Sequence, residues 1–129
     1  MTEMGRVEKA QLIVDAALER KAEAPVALDV REVASFADTF VLLSGRSDRQ
    51  VRSIADFIAR TLKNHGDRPL GVEGLDEGRW VLMDCADVVV HVFVPEAREH
   101  YDLERLWSDA PALELEGVEP PEPLQSSAH

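Results

Sequence analysis

The feature that most constrains the fold is the stretch from 80 to 93, in which two apolar runs flank a short break. Short runs rich in valine and joined by two residues are typical of two antiparallel strands and a tight turn. We place the turn at Cys85-Ala86, so that Trp80 pairs with His91. This register predicts an exposed Cys85 thiol, and no signature of a catalytic nucleophile surrounds it.

The period of two along this hairpin sorts its side chains into two faces. One face is entirely apolar and must be covered by helices; it consists of Val81, Met83, Val88, Val90 and Val92. The other, which we call the mixed face, combines rings with charge; it consists of Trp80, Leu82, Asp84, Asp87, Val89, His91 and Phe93. The mixed face is expected to be either partly covered by the C-terminal segment or a recognition surface.

The rest of the folded region is a single alternation of helices and strands. Spacing and alternation predict a helix over 7–23, strands over 26–31 and 39–43, and a short helix over 96–107. Ser47 and Gln50 fit a capping box, which predicts that another helix begins there. Its predicted buried stripe is Val51, Ile54, Ala55, Ile58 and Leu62.

Composition indicates one folded domain. The chain has 129 residues, 45% hydrophobic and 30% charged, which is ordinary for a soluble globular protein. We assign an α/β domain to residues 1–109. The remaining segment, 110–129, has four prolines, four glutamates and no aromatic residue. It buries too little apolar surface to offset the entropy of ordering it, so we expect a disordered acidic tail.

Charge limits the partners that this chain can bind. It has 14 basic and 25 acidic residues, so the molecule as a whole repels the phosphate backbone of nucleic acids. The acidic side chains concentrate in residues 73–109, with 3 basic and 10 acidic residues. The basic residues Arg49, Arg52, Arg60 and Lys63 lie on the exposed side of the second helix. We interpret them as a solvated flank, with a minor RNA contact as the alternative.

The cellular compartment is inferred from sequence signals that the chain does not show. The single cysteine fits a reducing environment. The longest apolar runs fall far short of the about 20 residues that cross a bilayer. The N-terminal residues show no signal or transit peptide pattern. We therefore expect a cytoplasmic protein that does not enter a membrane.

Two short patterns resemble ligand-binding motifs. Ser44-Gly45 is similar to a phosphate-binding loop, but the glycine and lysine patterns of such loops are missing, so a plain helix cap is favoured. Asp84 and Asp87 could hold a divalent metal, but no third ligand lies within reach, so solvated turn residues are favoured. The sequence shows no coherent catalytic constellation, and we expect no enzyme, metal or cofactor.

Several segments, taken in order, carry a family resemblance. They are DTFVLLSG at 38–45, SDRQV at 47–51 with IAD at 54–56, EG at 73–74, GRWVLMD at 78–84, DVVVHVF at 87–93, REHY at 98–101 and LERLW at 103–107. Together they resemble the ribosomal silencing factor family RsfS, also called Iojap, over residues 7–109.

The resemblance implies a single α/β domain with a mixed sheet flanked by helices, related to the nucleotidyltransferase fold but without catalytic activity. It also implies binding to the large ribosomal subunit through ribosomal protein number fourteen, which blocks association with the small subunit and represses translation, and a homodimer when free. The implied contact surface is Trp80, Asp84, His91, Tyr101, Leu103, Glu104, Leu106 and Trp107. An acidic segment with aromatic residues complements a basic protein better than it complements RNA.

One position departs from the family pattern, and two other functions stay open. The family usually has an aromatic residue, often followed by glycine, where this chain has Cys85-Ala86, and alanine adopts a positive φ less freely than glycine. A nucleotidyltransferase would need paired carboxylates after the turn at Gly45, where this chain has only Asp48 between two arginines. A dimeric adaptor for another basic protein is the second alternative.

Overall fold

Strands and helices alternate along residues 5–118, which are the residues that the computed structural model describes. The elements are α1 (Arg6–Glu19), β1 (Glu23–Asp29), β2 (Thr39–Ser44), α2 (Asp48–Asn64), β3 (Gly71–Glu73), β4 (Trp80–Cys85), β5 (Val88–Phe93), α3 (Pro95–Tyr101) and α4 (Leu103–Leu106). The order of elements confirms the predicted α/β class, and β3 is a short strand that the sequence analysis did not predict.

The strands form one five-stranded mixed sheet in the order β1-β2-β5-β4-β3. Only the central pair, β2 and β5, is parallel, and the other three pairs are antiparallel. Every residue of β2 and β5 is buried, as expected for central strands that are covered on both faces. The mixed sheet that the resemblance implied is therefore confirmed.

Helices α1 and α2 lie side by side on the apolar face of the sheet. The predicted stripe of α2, from Val51 to Leu62, is buried. One of the two hydrogen bonds of the predicted capping box forms, since Ser47 Oγ accepts a hydrogen bond from the Gln50 amide at 3.1 Å. The Gln50 side chain departs from the capping box, because its Oε1 accepts from the Arg46 amide at 2.7 Å. No helix within residues 5–118 has the length and apolarity needed to cross a membrane.

The register predicted for the β4–β5 hairpin is wrong by one residue on each strand. Trp80 pairs with Phe93, and Cys85 pairs with Val88, so the turn is Ala86-Asp87. Ala86 has φ 72°, the positive value that the first position of a type II′ turn requires. Because both strands shift, the paired residues keep their predicted faces, but Asp87 leaves the mixed face and becomes a turn residue that pairs with Lys9 of α1. Cys85 joins the apolar face and is 1% exposed, which corrects the expectation of an exposed thiol.

A buried lysine accounts for the observed turn. The Nζ of Lys9 on α1 donates to the Cys85 carbonyl at 2.6 Å and pairs with the Asp87 carboxylate at 3.1 Å. It also pairs with the Asp67 carboxylate at 3.0 Å. The turn at Ala86-Asp87 buries a small apolar thiol and places a carboxylate beside this cation.

The prediction of a disordered tail from residue 110 onward is wrong for 110–118. Residues 111–113 run antiparallel along the outer edge of β1, where Asp29 N donates to Pro111 O and Leu113 N donates to Ala27 O, both at 2.8 Å. Leu115 is 8% exposed. This segment, which we call the C-terminal strap, satisfies backbone groups at a sheet edge. The expectation for residues 119–129 lies outside the described residues.

Candidate protein-binding face

A layer of rings lies on the sheet surface opposite α1 and α2. It continues the mixed face of the hairpin onto β2 and onto the segments that flank the sheet. We call it the aromatic cluster; its members are Phe36, Phe40, Trp80, His91, Phe93, Tyr101 and Trp107. Neighbouring ring centroids lie between 4.6 and 6.3 Å apart, within the range of favourable aromatic contacts. The expected partial cover by the C-terminal segment is confirmed, since Tyr101 and Trp107 lie against the cluster, and the remainder of the face stays open.

Trp80 and His91 form the polar contact at the centre of the cluster. They are diagonal neighbours on β4 and β5, and Trp80 Nε1 donates to His91 Nδ1 at 3.1 Å. His91 is 4% exposed, and this burial lowers its pKa to about 4. The imidazole is therefore neutral at neutral pH, with its proton on Nε2. That nitrogen has no hydrogen-bond partner among the residues that the structure describes.

Tyr101 covers one side of Trp80 at the end of α3. Their ring centroids lie 4.6 Å apart. Tyr101 is nevertheless 49% exposed, so its ring is held by the cluster while its edge faces solvent. A tyrosine held in this way gives a partner a large contact area with little loss of side-chain entropy.

Trp107 covers the other side of the cluster, where it meets two phenylalanines that the sequence analysis did not assign to the site. Its ring centroid lies 5.2 Å from that of Phe40 and 6.3 Å from that of Phe36, both edge-to-face. Phe36 is 62% exposed. Phe40 faces this surface because it pairs with Val89 across the parallel β2–β5 ladder, an arrangement that no local sequence pattern reveals.

A break in the backbone places the last helical turn over the cluster. The predicted helix over 96–107 is instead α3 and α4, separated at Asp102, which has φ 50°. Arg98 fixes the break, because its guanidinium bonds the Glu104 carboxylate at 2.9 Å and Ser44 Oγ at 2.8 Å. Glu104, proposed as a contact residue, therefore also anchors α4 to β2.

An open groove runs between the two tryptophans. Its volume is about 360 Å³, and it is lined by Phe36, Phe40, Trp80, Leu82, Asp84, Val89, His91, Leu103 and Trp107. Asp84 is the charged residue of this lining and is exposed. Five of the eight sequence-predicted site residues thus line one groove. Of the other three, Tyr101 borders Trp80, Glu104 is half-buried beside Arg98, and Leu106 is 69% exposed on α4.

Acidic side chains border the aromatic cluster at α3 and α4. A second hollow, of about 480 Å³, is lined by Ser44, Pro95, Glu96, Arg98, Glu99, Asp102 and Glu104. Exposed apolar groups that are rimmed by charge are typical of protein-binding surfaces. The sign of the rim favours a basic partner.

Comparison with known proteins identifies the family. The model of the family described as "Ribosomal silencing factor during starvation" (RsfS) matches residues 4–129. A ribosomal silencing factor RsfS of Halalkalibacterium halodurans is 44% identical over 115 residues, covering 89% of this chain and 98% of that protein. The RsfS of Bacillus subtilis is 44% identical over 98 residues, covering 76% and 83%. A crystal structure of a protein from Chromobacterium violaceum superimposes with a TM-score of 0.79 at 34% identity, covering 92% of each chain. The chain belongs to the RsfS family of ribosomal silencing factors.

Proposed function

We propose that this protein is a non-enzymatic translation repressor that acts on the large ribosomal subunit. In this proposal its aromatic cluster and groove bind ribosomal protein number fourteen, and the bound factor sterically blocks association with the small subunit. The protein acts in the cytoplasm and forms a homodimer when free. The observation that carries the proposal is the open aromatic face with an acidic rim, in a chain of the ribosomal silencing family.

Charge favours a protein partner at this face. Residues 73–109, which supply most of it, carry 10 acidic and 3 basic side chains and would repel ribosomal RNA. Ribosomal proteins are generally basic, so they complement it. The basic flank of α2 lies on the other side of the sheet, where Arg52 pairs with Asp48 at 3.4 Å and Arg60 pairs with Asp56 at 3.3 Å. Its part in the proposal is limited to a minor contact with ribosomal RNA.

The chemistry of the reactive side chains supports binding over catalysis. Burial raises the pKa of the Cys85 thiol to about 12, so it is not a thiolate nucleophile at neutral pH. His91 is held neutral inside the cluster. Asp48, the acid that follows the Ser44-Gly45 turn, accepts from the Arg49 amide at 2.9 Å and pairs with Arg52. Each of these groups is engaged in the fold.

Co-sedimentation with separated ribosomal subunits tests the proposal. The wild type should sediment with large subunits and not with small ones. Tyr101→Ala and Trp107→Ala should each weaken binding about thirtyfold, since removing a central aromatic anchor costs about 2 kcal/mol. Val7→Ala is the matched control, because Val7 is an exposed apolar residue on α1, on the opposite side of the sheet. A wild type that stays at the top of the gradient at low salt contradicts the proposal and favours the adaptor function.

A further inference from the structure

We propose that the groove between Trp80 and Trp107 receives a cationic side chain, lysine or arginine, from the protein partner. The aliphatic stem of that side chain lies along the aromatic walls and its charge meets Asp84. This inference rests on the proposed function, and it adds the chemical identity of the group that enters the site.

The composition of the groove fits an amphipathic occupant. Its lining combines the rings of Phe36, Phe40, Trp80 and Trp107 with the exposed carboxylate of Asp84. Lysine and arginine bury their methylene stems against apolar surface while the charged head stays at a polar end. Aromatic faces also attract cations. A purely apolar occupant would leave the Asp84 carboxylate at its border without a counter-charge.

The position of Asp84 is fixed by the sheet and the turn. Asp84 pairs with Val89, which in turn pairs with Phe40, so the three residues form one row across the groove floor. One carboxylate oxygen, Oδ1, accepts from the Ala86 amide at 3.0 Å, which leaves Oδ2 facing no donor within the described part of the chain. No ion pair to Asp84 forms among the described side chains.

The neighbouring acidic hollow is less suited than the groove to receive a cation from a partner. It already contains the Arg98 guanidinium, which is bonded to Glu104 and to Ser44 Oγ. Part of its negative charge is therefore compensated within the fold. In the groove, the one other titratable lining residue is His91, which is neutral and does not repel a cation. The exposed Asp84 carboxylate, which forms no ion pair among the described side chains, is therefore free to pair with a cation of the partner.

Binding to purified large ribosomal subunits across a range of salt concentrations tests this inference. Asp84→Asn keeps the oxygen that accepts from Ala86 and removes only the charge, so we expect about tenfold weaker binding and a smaller dependence on salt. Asp84→Leu should bind no better than Asp84→Asn. Asp76→Asn removes an exposed acidic charge from the β3–β4 loop and should change binding less than twofold.

The apolar alternative predicts the reverse order. If Asp84→Leu binds as tightly as the wild type, the occupant is apolar and the inference is wrong. Unchanged affinity and salt dependence in Asp84→Asn also overturn it. Both results leave binding of the wild type intact, so they are distinguishable from failure of the proposed function. Circular dichroism and thermal unfolding establish whether each variant is folded. If Asp84→Leu does not fold, the comparison of Asp84→Asn with the wild type is sufficient to test the inference.

A small-molecule titration tests the groove without the ribosome. The probes are N-acetyl-arginine methylamide and its uncharged analogue N-acetyl-norleucine methylamide, and the signal is the Trp80 Nε1–H resonance in NMR spectra. The arginine probe should shift this resonance in the wild type and shift it less in Asp84→Asn. Equal shifts by both probes, or no shift at all, contradict the inference even if the large subunit does not bind.

Discussion

The indole Nε1 of Trp80 donates a hydrogen bond to Nδ1 of His91 across a diagonal of the hairpin, at 3.1 Å. This bond sets the imidazole tautomer and fixes the orientation of the indole. The same indole also contacts Tyr101, at 4.6 Å between ring centroids, and about half of Tyr101 is exposed. One buried polar contact thus orients the ring on which the exposed part of the face is built.

Removing the donor should destabilise the fold. Trp80→Phe keeps an aromatic ring but leaves His91 Nδ1 buried without a partner, so we expect a loss of about 1 to 3 kcal/mol in the free energy of unfolding. In a His91→Leu background, Trp80→Phe breaks no hydrogen bond. The loss in the free energy of unfolding should then be about 1 kcal/mol smaller. Urea unfolding followed by circular dichroism measures both differences. Equal costs in the two backgrounds would show that the bond contributes nothing.

The stability of the fold should fall as the pH drops from 6.5 towards 4. The pKa of His91 is about 4 in the folded chain, against an ordinary value of 6.5. Between these values the unfolded chain binds a proton that the folded chain does not, so the contribution is complete above pH 6.5 and is lost progressively below it. The difference between the two pKa values corresponds to about 3 kcal/mol in the free energy of unfolding.

Unfolding free energies measured at intervals between pH 7 and pH 4 test this dependence. His91→Leu should flatten the curve over this range relative to the wild type. His100→Gln replaces an exposed histidine at the end of α3 and should leave the slope as it is. If the slopes of the wild type and His91→Leu coincide, burial of His91 is not the cause.

The Cys85 thiol should be protected from modification. It is 1% exposed and burial raises its pKa to about 12, so a disulfide reagent at pH 7.5 should react with it slowly in the native protein. Denaturation in urea should expose one reactive thiol per chain. Rapid, complete reaction of the native protein would contradict the hairpin register with its turn at Ala86-Asp87 and favour a turn at Cys85-Ala86.

The C-terminal strap should stabilise the domain. A chain ending at residue 109 loses the backbone bonds of Pro111 and Leu113 and the buried side chain of Leu115. Burial of one leucine contributes about 2 kcal/mol, which corresponds to a fall of about 10 °C in melting temperature for a domain of this size. A chain ending at residue 118 is the matched comparison. Identical melting temperatures for the two chains would show that the strap contributes no stability.

Local patterns predicted the parts of the fold that depend on local physics. The spacing of apolar residues and the cap at Ser47 predicted α2 because both act within a few residues. Apart from Asp87, the two faces of the hairpin were predicted correctly even though the register was wrong, because a shift of one residue on each strand leaves every paired side chain on its face. The observed turn is contacted by Lys9, which is 78 residues from Asp87 in sequence, and no local pattern reveals such a contact.

The missing parts of the site depend on contacts between distant segments. Phe40 joins the aromatic cluster only because β2 lies parallel to β5. Residues 110–118 are ordered through backbone pairing with β1, and composition says nothing about backbone pairing. Tyr101 and Trp107 were singled out by residue type and by the family resemblance, whereas their places around Trp80 and Phe40 follow from the break at Asp102.

The most direct test of the central claim is subunit association followed by light scattering. Purified large subunits are incubated with the protein, and small subunits are then added in magnesium buffer. The wild type and Val7→Ala should lower the association amplitude in a dose-dependent way, whereas Trp107→Ala and Tyr101→Ala should need about thirtyfold more protein for the same effect. Full association at saturating wild-type protein would contradict the account.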